Sequence, residues 1–345
     1  MTVKITVVGL GYWGPNLLRN LGMIPEVQVV AACDLNRKRL ETMMRRFPFV
    51  PEFTTDYEGI LQRRDVDAVV IATPVETHFE LSKKALLAGK DVFVEKPMTG
   101  SVKEAEELIK IAEKKKRILM VGHTFEYNPA VMKVKELIQN GDLGIVYYIS
   151  STRINLGIHR KDANVIWDLA AHDFSIIIYW LEEDPLYVYA VGKDFILDGI
   201  PDVAFIHVIF PSGALANMQV SWLAPSKVRN MTIVGSERMV IYDDTSPTEK
   251  VRVFNSGVEL SEPQTYGEFQ LAYRTGDIIS PKIDSAEPLR LEMEHFIECL
   301  IERKRPRTDA YRGLRVVRAL EMAEQSLRKN GVGIQISSHL KSKED

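Results

Sequence analysis

The chain has 345 residues, 46% hydrophobic and 26% charged, which is ordinary for a globular protein and long enough for two cores. A formal net charge of -3 provides no basic field, so nucleic acid is excluded as the main partner. Cys33 and Cys299 form neither a disulfide framework nor a metal-ligand spacing. With no signal-peptide pattern and no apolar run near the roughly 20 residues of a bilayer span, a cytoplasmic protein without a metal or a membrane is expected.

The first third alternates β-branched runs with amphipathic stretches. Strands are expected at Val3–Val8, Val27–Cys33, Ala68–Ala72, Val92–Val94 and Ile118–Val121, and helices at Pro15–Leu21, Arg37–Arg46, Glu76–Leu87 and Lys103–Lys115. Continuous apolar strands separated by helices predict a doubly wound parallel sheet, a Rossmann-like α/β domain over residues 1–124. Beyond it the rhythm changes. Helices over Ala130–Asn140 and Val165–Leu181 accompany β-rich runs at Val146–Asn155, Leu186–Val191, Ala204–Phe210, Ala214–Trp222, Arg229–Val234, Met239–Tyr242 and Val251–Phe254. Short turns such as Pro211-Ser212-Gly213 predict an open, mainly antiparallel sheet in a second α/β domain, residues 125–345, for substrate binding and oligomerisation. Ser256–Glu287 has weak periodicity and reads as a long loop or arm. Helices over Leu289–Arg303 and Arg312–Lys329 close the fold, and the tail SSHLKSKED is expected to fray.

VVGLGYWGPN places Gly9, Gly11 and Gly14 in GxGxxG spacing after a strand and before a helix. Gly9 allows the tight turn, Gly11 the approach of backbone to a pyrophosphate, and Gly14 the close packing of helix on strand. Asp34 follows Gly14 by 20 residues and suits the ribose hydroxyls of NAD. Arg37 suits a 2′-phosphate instead, which leaves NADP open.

The fourth strand-like run ends in VFVEKP. Ligands of doubly wound sheets lie beyond the carboxyl ends of the strands, so Lys96 falls where a nicotinamide and its substrate would meet. Its ammonium can stabilise developing alkoxide charge, and Pro97 restricts it to extended geometry. Thr73, Pro74 and His78 mark the neighbouring strand end, and His123 follows the last strand of the domain. In WDLAAHDFSIIIYW, Asp168 and His172 stand four apart and share one face of a helix. A histidine there can move a proton while a hydride moves at the same carbon. Arg153, Asn155, His159, Arg160 and Trp167 are candidates to meet substrate hydroxyls, a carboxylate or a diphosphate, although an exposed polar loop explains the first four equally well.

GLGYWG, TPVETH, EKP and WDLAAHD in this order resemble the glucose–fructose oxidoreductase / inositol dehydrogenase / MocA (Gfo/Idh/MocA) family. The resemblance covers the chain to about residue 180 and implies Lys96, Asp168 and His172 as active-site residues. It also implies NAD or NADP as cofactor and a homodimer or homotetramer built on the second sheet. Its cofactor contacts are expected from Gly9, Gly11, Tyr12, Trp13, Gly14, Asp34, Leu35, Thr73, Pro74, His78, Glu95 and Lys96. Many members carry glycines before and after the aspartate; DANVIWDLAAHD has alanines there. That form, with GYWGPN, looks more like members linked to surface-polysaccharide and nucleotide-sugar synthesis. The expected activity is hydride transfer at a secondary alcohol of a nucleotide sugar, with an inositol or free-sugar dehydrogenase as alternative and a non-catalytic dinucleotide or sugar sensor as a third reading.

Overall fold

A computed structural model describes residues 2–157, 159, 163–261 and 270–336. The chain divides into two compact units, one comprising the chain up to Asn128 together with Ala286–Arg318, the other Pro129–Ser285 and the chain from Ala319.

The first unit begins as an alternating α/β series: β1 (Val3–Val8), α1 (Gly14–Leu21), β2 (Val27–Cys33), α2 (Arg37–Arg46), β3 (Phe53–Thr54), α3 (Tyr57–Gln62), β4 (Ala68–Ile71), α4 (Val75–Leu87), β5 (Asp91–Glu95), α5 (Val102–Lys115) and β6 (Leu119–Gly122). Its six strands are all parallel, in the order β3-β2-β1-β4-β5-β6. Every residue of β4 and β5 is buried, which is why Ala68–Ile71 and Val92–Val94 read as continuous apolar runs rather than alternating ones. The order reverses direction between β1 and β4, the place where a ligand crevice opens in such sheets. Short β3 and α3 were not anticipated. A two-residue strand has no periodicity to read, and α3 owes its start to the Asp56 carboxylate, which accepts the Gly59 amide at 2.8 Å.

The second unit contains α6 (Pro129–Gln139), β7 (Val146–Ile154), α7 (Ala171–Leu181), β8 (Tyr187–Lys193), β9 (Val203–Ile209), β10 (Leu215–Ser221), β11 (Val228–Gly235), β12 (Met239–Asp243), β13 (Val251–Ser261) and β14 (Gln270–Ile279). With β15 (Ile334–Gln335) the described strands form one sheet, ordered β14-β13-β12-β11-β7-β10-β9-β8-β15. Only β7 and β10 pair in parallel; the other pairings are antiparallel. Burial alternates along β9 and β10: Ala204, Ile206, Val208, Ala216, Met218 and Val220 face the core, while Phe205, His207, Leu215 and Asn217 are exposed. The expected arm over Ser256–Glu287 is corrected here. Ser256–Ser261 continues β13 and Gln270–Ile279 pairs back on it as the edge strand; β14 is exposed at consecutive positions from Thr275 to Ile279, so it lacks the alternation that marks a half-buried strand. The tail SSHLKSKED lies outside the described residues.

The chain then returns to the first unit with α8 (Pro288–Glu302), and residues 310–318 of α9 (Ala310–Arg328) belong there as well. Met293, Phe296 and Ile297 join the core formed by Val7, Leu17, Leu21 and Phe93. Two arginine–carboxylate forks pin the helix ends. Arg19 meets Glu287 with bonds of 3.0 and 2.5 Å, and Arg303 meets Asp91 with bonds of 2.6 and 3.1 Å. Among the described residues, no helix is long and apolar enough to cross a membrane.

Candidate active site

β1 ends in the glycine turn. Gly9 takes a φ of +90°, a conformation in which a side chain would be strained. A Cβ at residue 14 would stand 2.0 Å from the Gly9 carbonyl oxygen, so only glycine lets α1 start this close to the strand. Gly11 has open space where a Cβ would point. Trp13, at the helix N-cap, offers the first turn no side-chain acceptor, which leaves the amide end of α1 available to an anion. This cradle fits the pyrophosphate of a dinucleotide.

Asp34 ends β2. One carboxylate oxygen accepts the Leu10 amide at 2.7 Å and the Arg39 guanidinium at 3.0 Å; the other accepts the Asn36 amide at 2.8 Å. Burial alone would raise its pKa, but the amides of Asn36 and Leu10 and the Arg39 cation outweigh that and hold it below the ordinary value. An ionised carboxylate here suits ribose hydroxyls and repels a 2′-phosphate, which fits NAD. Tyr12 and Leu35 stand 90% and 89% exposed beside this turn, apolar surfaces that a dinucleotide would cover.

The ends of β4 and β5 continue the same sheet edge. From Asp91 to Thr99 every residue is buried except Lys96, so this stretch offers a single side chain to solvent and ligand. The Lys96–Pro97 bond is cis. Thr73 and Pro74 follow β4 and remain accessible. His78 does not: it is 1% exposed, and its ring nitrogens lie 2.8 Å from the carbonyl oxygens of Pro97 and Thr73. Its expected contact with the cofactor gives way to a bridge between two strand ends, because both ring nitrogens already face backbone oxygens. Glu95 likewise points inward and is 9% exposed. His123 is buried, and burial, then the charges of Arg312 and Lys96, push its pKa down to about 3.

In the second unit, Asn164 opens the helical segment that carries Asp168 and His172. Its side-chain oxygen accepts the amides of Ile166 and Trp167 at 3.0 and 3.3 Å, and its amide donates to Glu324 at 2.6 Å. The first turn, Ile166–Ala170, is a π-helix that runs directly into α7. Residues four apart on an α-helix are about 40° out of line; the wider π turn brings Asp168 and His172 nearer to eclipsed. The rest of this segment is core. From Val165 to Trp180 only Trp167, Asp168, His172 and Tyr179 are not buried.

Trp222, just beyond β10 and buried, donates its indole N–H to Asp168 Oδ2 at 3.0 Å. Its ring meets that of His159 edge-on, centroids 5.5 Å apart, and a Cβ at Gly157 would come within 2.9 Å of the indole. Asn155 lies beside Gly157 and is half-buried. Arg153 is corrected: it is 3% exposed and donates to Asp173 at 2.6 Å, an ion pair that ties β7 to α7 and keeps the guanidinium from solvent and ligands. Arg160 lies outside the described residues. The first unit thus gathers Gly9, Gly11, Tyr12, Trp13, Gly14, Asp34, Leu35, Thr73, Pro74 and Lys96 along one sheet edge. The second gathers Asn155, Trp167, Asp168 and His172 near Trp222. Sequence reading missed Asn164 and Trp222. The first carried a readable capping signal; the second is paired across 54 residues and carried none.

Residues 3–123 match the family described as "Oxidoreductase family, NAD-binding Rossmann fold", and residues 131–241 match the "GFO/IDH/MocA C-terminal domain". The UDP-N-acetylglucosamine 3-dehydrogenase of Acidithiobacillus ferrooxidans is 27% identical over 92% of this chain and 95% of its own. The scyllo-inositol 2-dehydrogenase (NAD(+)) of Bacillus subtilis is 28% identical over 88% of each chain. An inositol 2-dehydrogenase of Salmonella typhimurium is 27% identical over 53% of this chain, a match spanning 56% of that enzyme's length. Among solved structures, the Acidithiobacillus dehydrogenase superposes with a TM-score of 0.81 at 23% identity, covering 96% of this chain and 99% of that one. A protein from gentamicin A biosynthesis in complex with NAD superposes with a TM-score of 0.82 at 21% identity, covering 98% and 97%.

Proposed function

We propose, for a chain that belongs to the Gfo/Idh/MocA family of NAD-dependent sugar and polyol oxidoreductases, hydride transfer at a secondary alcohol or ketone of a nucleotide sugar. The observation that carries the reading is selective exposure. Lys96 is the one accessible residue in an otherwise buried strand end, and Asp168 and His172 are among the few accessible residues of an otherwise buried helix. In elements that otherwise supply only core, a cation, a carboxylate and an imidazole left accessible are the groups available to a ligand.

NAD, held at the glycine turn and Asp34, would supply the hydride acceptor or donor. The Lys96 ammonium donates to the reacting oxygen and stabilises its charge as the C–H bond breaks. His172 takes the hydroxyl proton during oxidation and returns it during reduction. Asp168, held by the Trp222 indole, orients the substrate or the imidazole. Asn155 and Trp167 contact the sugar. The cradle at Gly11 and the start of α1 binds the pyrophosphate, and Asp34 takes the ribose hydroxyls.

The match to a UDP-N-acetylglucosamine dehydrogenase over nearly the whole chain supports a nucleotide sugar. The match to an inositol dehydrogenase over 88% supports the alternative. Competition by UDP for the substrate site separates them: inhibition by free UDP supports the first, and turnover of free inositols or sugars with indifference to UDP the second. Tight NAD binding without turnover of any candidate points to a sensor.

A second copy of this chain completes the reading as a homodimer or homotetramer. One face of the large sheet exposes Tyr147, Tyr148, Phe205 and Leu215, and a hollow of 480 Å³ opens there, also lined by Tyr189 and His207. A cytoplasmic setting suits the free, buried thiols of Cys33 and Cys299.

A further inference from the structure

The first unit buries ionisable groups that the activity above does not use. Glu95 is 9% and Glu292 0% exposed, and Oε1 of each has no hydrogen-bond partner. Their other oxygens are engaged. Glu95 Oε2 accepts the Lys96 backbone amide at 3.3 Å, and Glu292 Oε2 accepts the Thr124 hydroxyl at 2.6 Å.

Packing places the two carboxyls toward one end of a shared aromatic contact. The rings of Phe93 on β5 and Phe296 on α8 lie 5.6 Å apart. Glu95 follows Phe93 on the same strand face, about 6.6 Å further on. Glu292 precedes Phe296 by one helical turn, about 6 Å along the axis. Thr124 fixes the direction: it lies just past β6, whose Gly122 is registered with Glu95, and it holds Glu292 at that end. Glu95 and Glu292 therefore lie toward the same end of the Phe93–Phe296 contact, where the charge of Glu95 is felt at Glu292. Gly122 leaves the room, since a Cβ there would stand 3.1 Å from Glu95 Oε2.

Two adjacent carboxyls in a dry core do not both ionise. Burial, then the charge of Glu95, raise the pKa of Glu292; burial raises that of Glu95 against the pull of Lys96. The groups that bear on this pair are Lys96 and the Trp13 indole beside Glu95, and Glu126 and the Tyr127 phenol beside Glu292; Arg312 on α9 lies 3.7 Å from Glu126, and it and Lys96 act on His123.

We propose that Glu95 and Glu292 share one proton at neutral pH, and that the singly charged pair is the counter-ion that keeps Lys96 an ammonium at the reacting oxygen. The shared proton bonds one carboxyl to the other and uses the oxygens left without partners. Glu95 and Glu292 are then positioning residues acting through Lys96, and this part rests on the role assigned to Lys96 above.

Infrared difference spectroscopy of the chain without substrate tests the pair directly. The wild type at pH 7 is expected to show the carbonyl band of a buried protonated carboxyl, and because the proton is shared the band is expected to move in frequency in Glu95→Gln and in Glu292→Gln alike, with thermal melts confirming that both near-isosteric variants fold. No such band in the wild type, or a band unmoved in either variant, overturns the shared proton. In the double variant the alkaline limb of the kcat/KM profile is expected to move down by at least about one pH unit, a tenfold loss above it; an unmoved limb overturns the counter-ion. If Lys96→Met keeps wild-type turnover, the role of Lys96 fails, while the band still decides the pair.

Discussion

Replacing Trp222 by Phe isolates the bond that holds Asp168. The substitution keeps the backbone bonds of residue 222, to Asp202 O at 2.9 Å and from Gly157 N at 2.9 Å, and keeps an aromatic ring against His159. It removes the indole donor, 3.0 Å from Asp168 Oδ2, and part of a buried ring. A hydrogen bond to a charged group contributes about 1.5–3 kcal/mol; because Asp168 is only half-buried, the lower half of that range applies. If that energy serves to hold Asp168 in its reacting orientation, so that it is realised in the transition state, its loss lowers kcat by about 10–50-fold, at about 1.4 kcal/mol per decade. The shortened side chain also leaves a void, for which about 1–3 kcal/mol of stability is lost. Steady-state kinetics well below the melting temperature, with NAD affinity measured on the same protein, separates these effects. A folded Trp222→Phe protein whose kcat stays within about twofold of wild type would refute the claim that the indole orients Asp168 for catalysis.

Gly14→Ala places a methyl group 2.0 Å from the Gly9 carbonyl oxygen, so the turn and α1 must separate. Such overpacking costs about 1–3 kcal/mol and misaligns the phosphate cradle; calorimetric titration with NAD is expected to show at least about tenfold weaker binding. His123 resists protonation in the fold, so the unfolded chain takes up that proton first as the pH falls. Its contribution to stability is complete above about pH 6.5 and declines toward pH 3, the folded value. His123→Asn should therefore lose less stability than wild type between pH 7 and pH 5, by about 2 kcal/mol in urea unfolding. Equal losses would show that the imidazole is already charged or solvated in the fold.

The first unit was legible because its signals are local. Strands buried on both faces read as continuous apolar runs, and GxGxxG with an acid 20 residues on requires only the order of residues. The start of β13 was visible at Val251–Phe254, but its continuation and β14 were hidden, because β14 at the sheet edge is exposed at consecutive positions from Thr275 to Ile279 and has no buried face to impose alternation. The return of residues 286–318 to the first unit was hidden for another reason. An amphipathic helix shows that a face will be covered, not what covers it, and Glu287 finds Arg19 across 268 residues. The candidate catalytic residues were visible as types in motifs. Their supports were not, since Trp222 and Glu292 act through pairings that chain order does not encode. Arg153 and His78 show the converse: a polar side chain beside a motif is as easily a fastening as a ligand, and only burial separates the two.

The most direct test replaces Lys96 by Met, which keeps the length of the side chain and removes the ammonium. Formation of reduced nicotinamide from NAD and a panel of nucleotide sugars, UDP-N-acetylglucosamine among them, gives the rate, and calorimetry gives NAD affinity. The account predicts that kcat falls by about 10²–10⁴-fold while NAD binds within about threefold of wild type. A Lys96→Met protein that turns over its sugar at a comparable rate would contradict it.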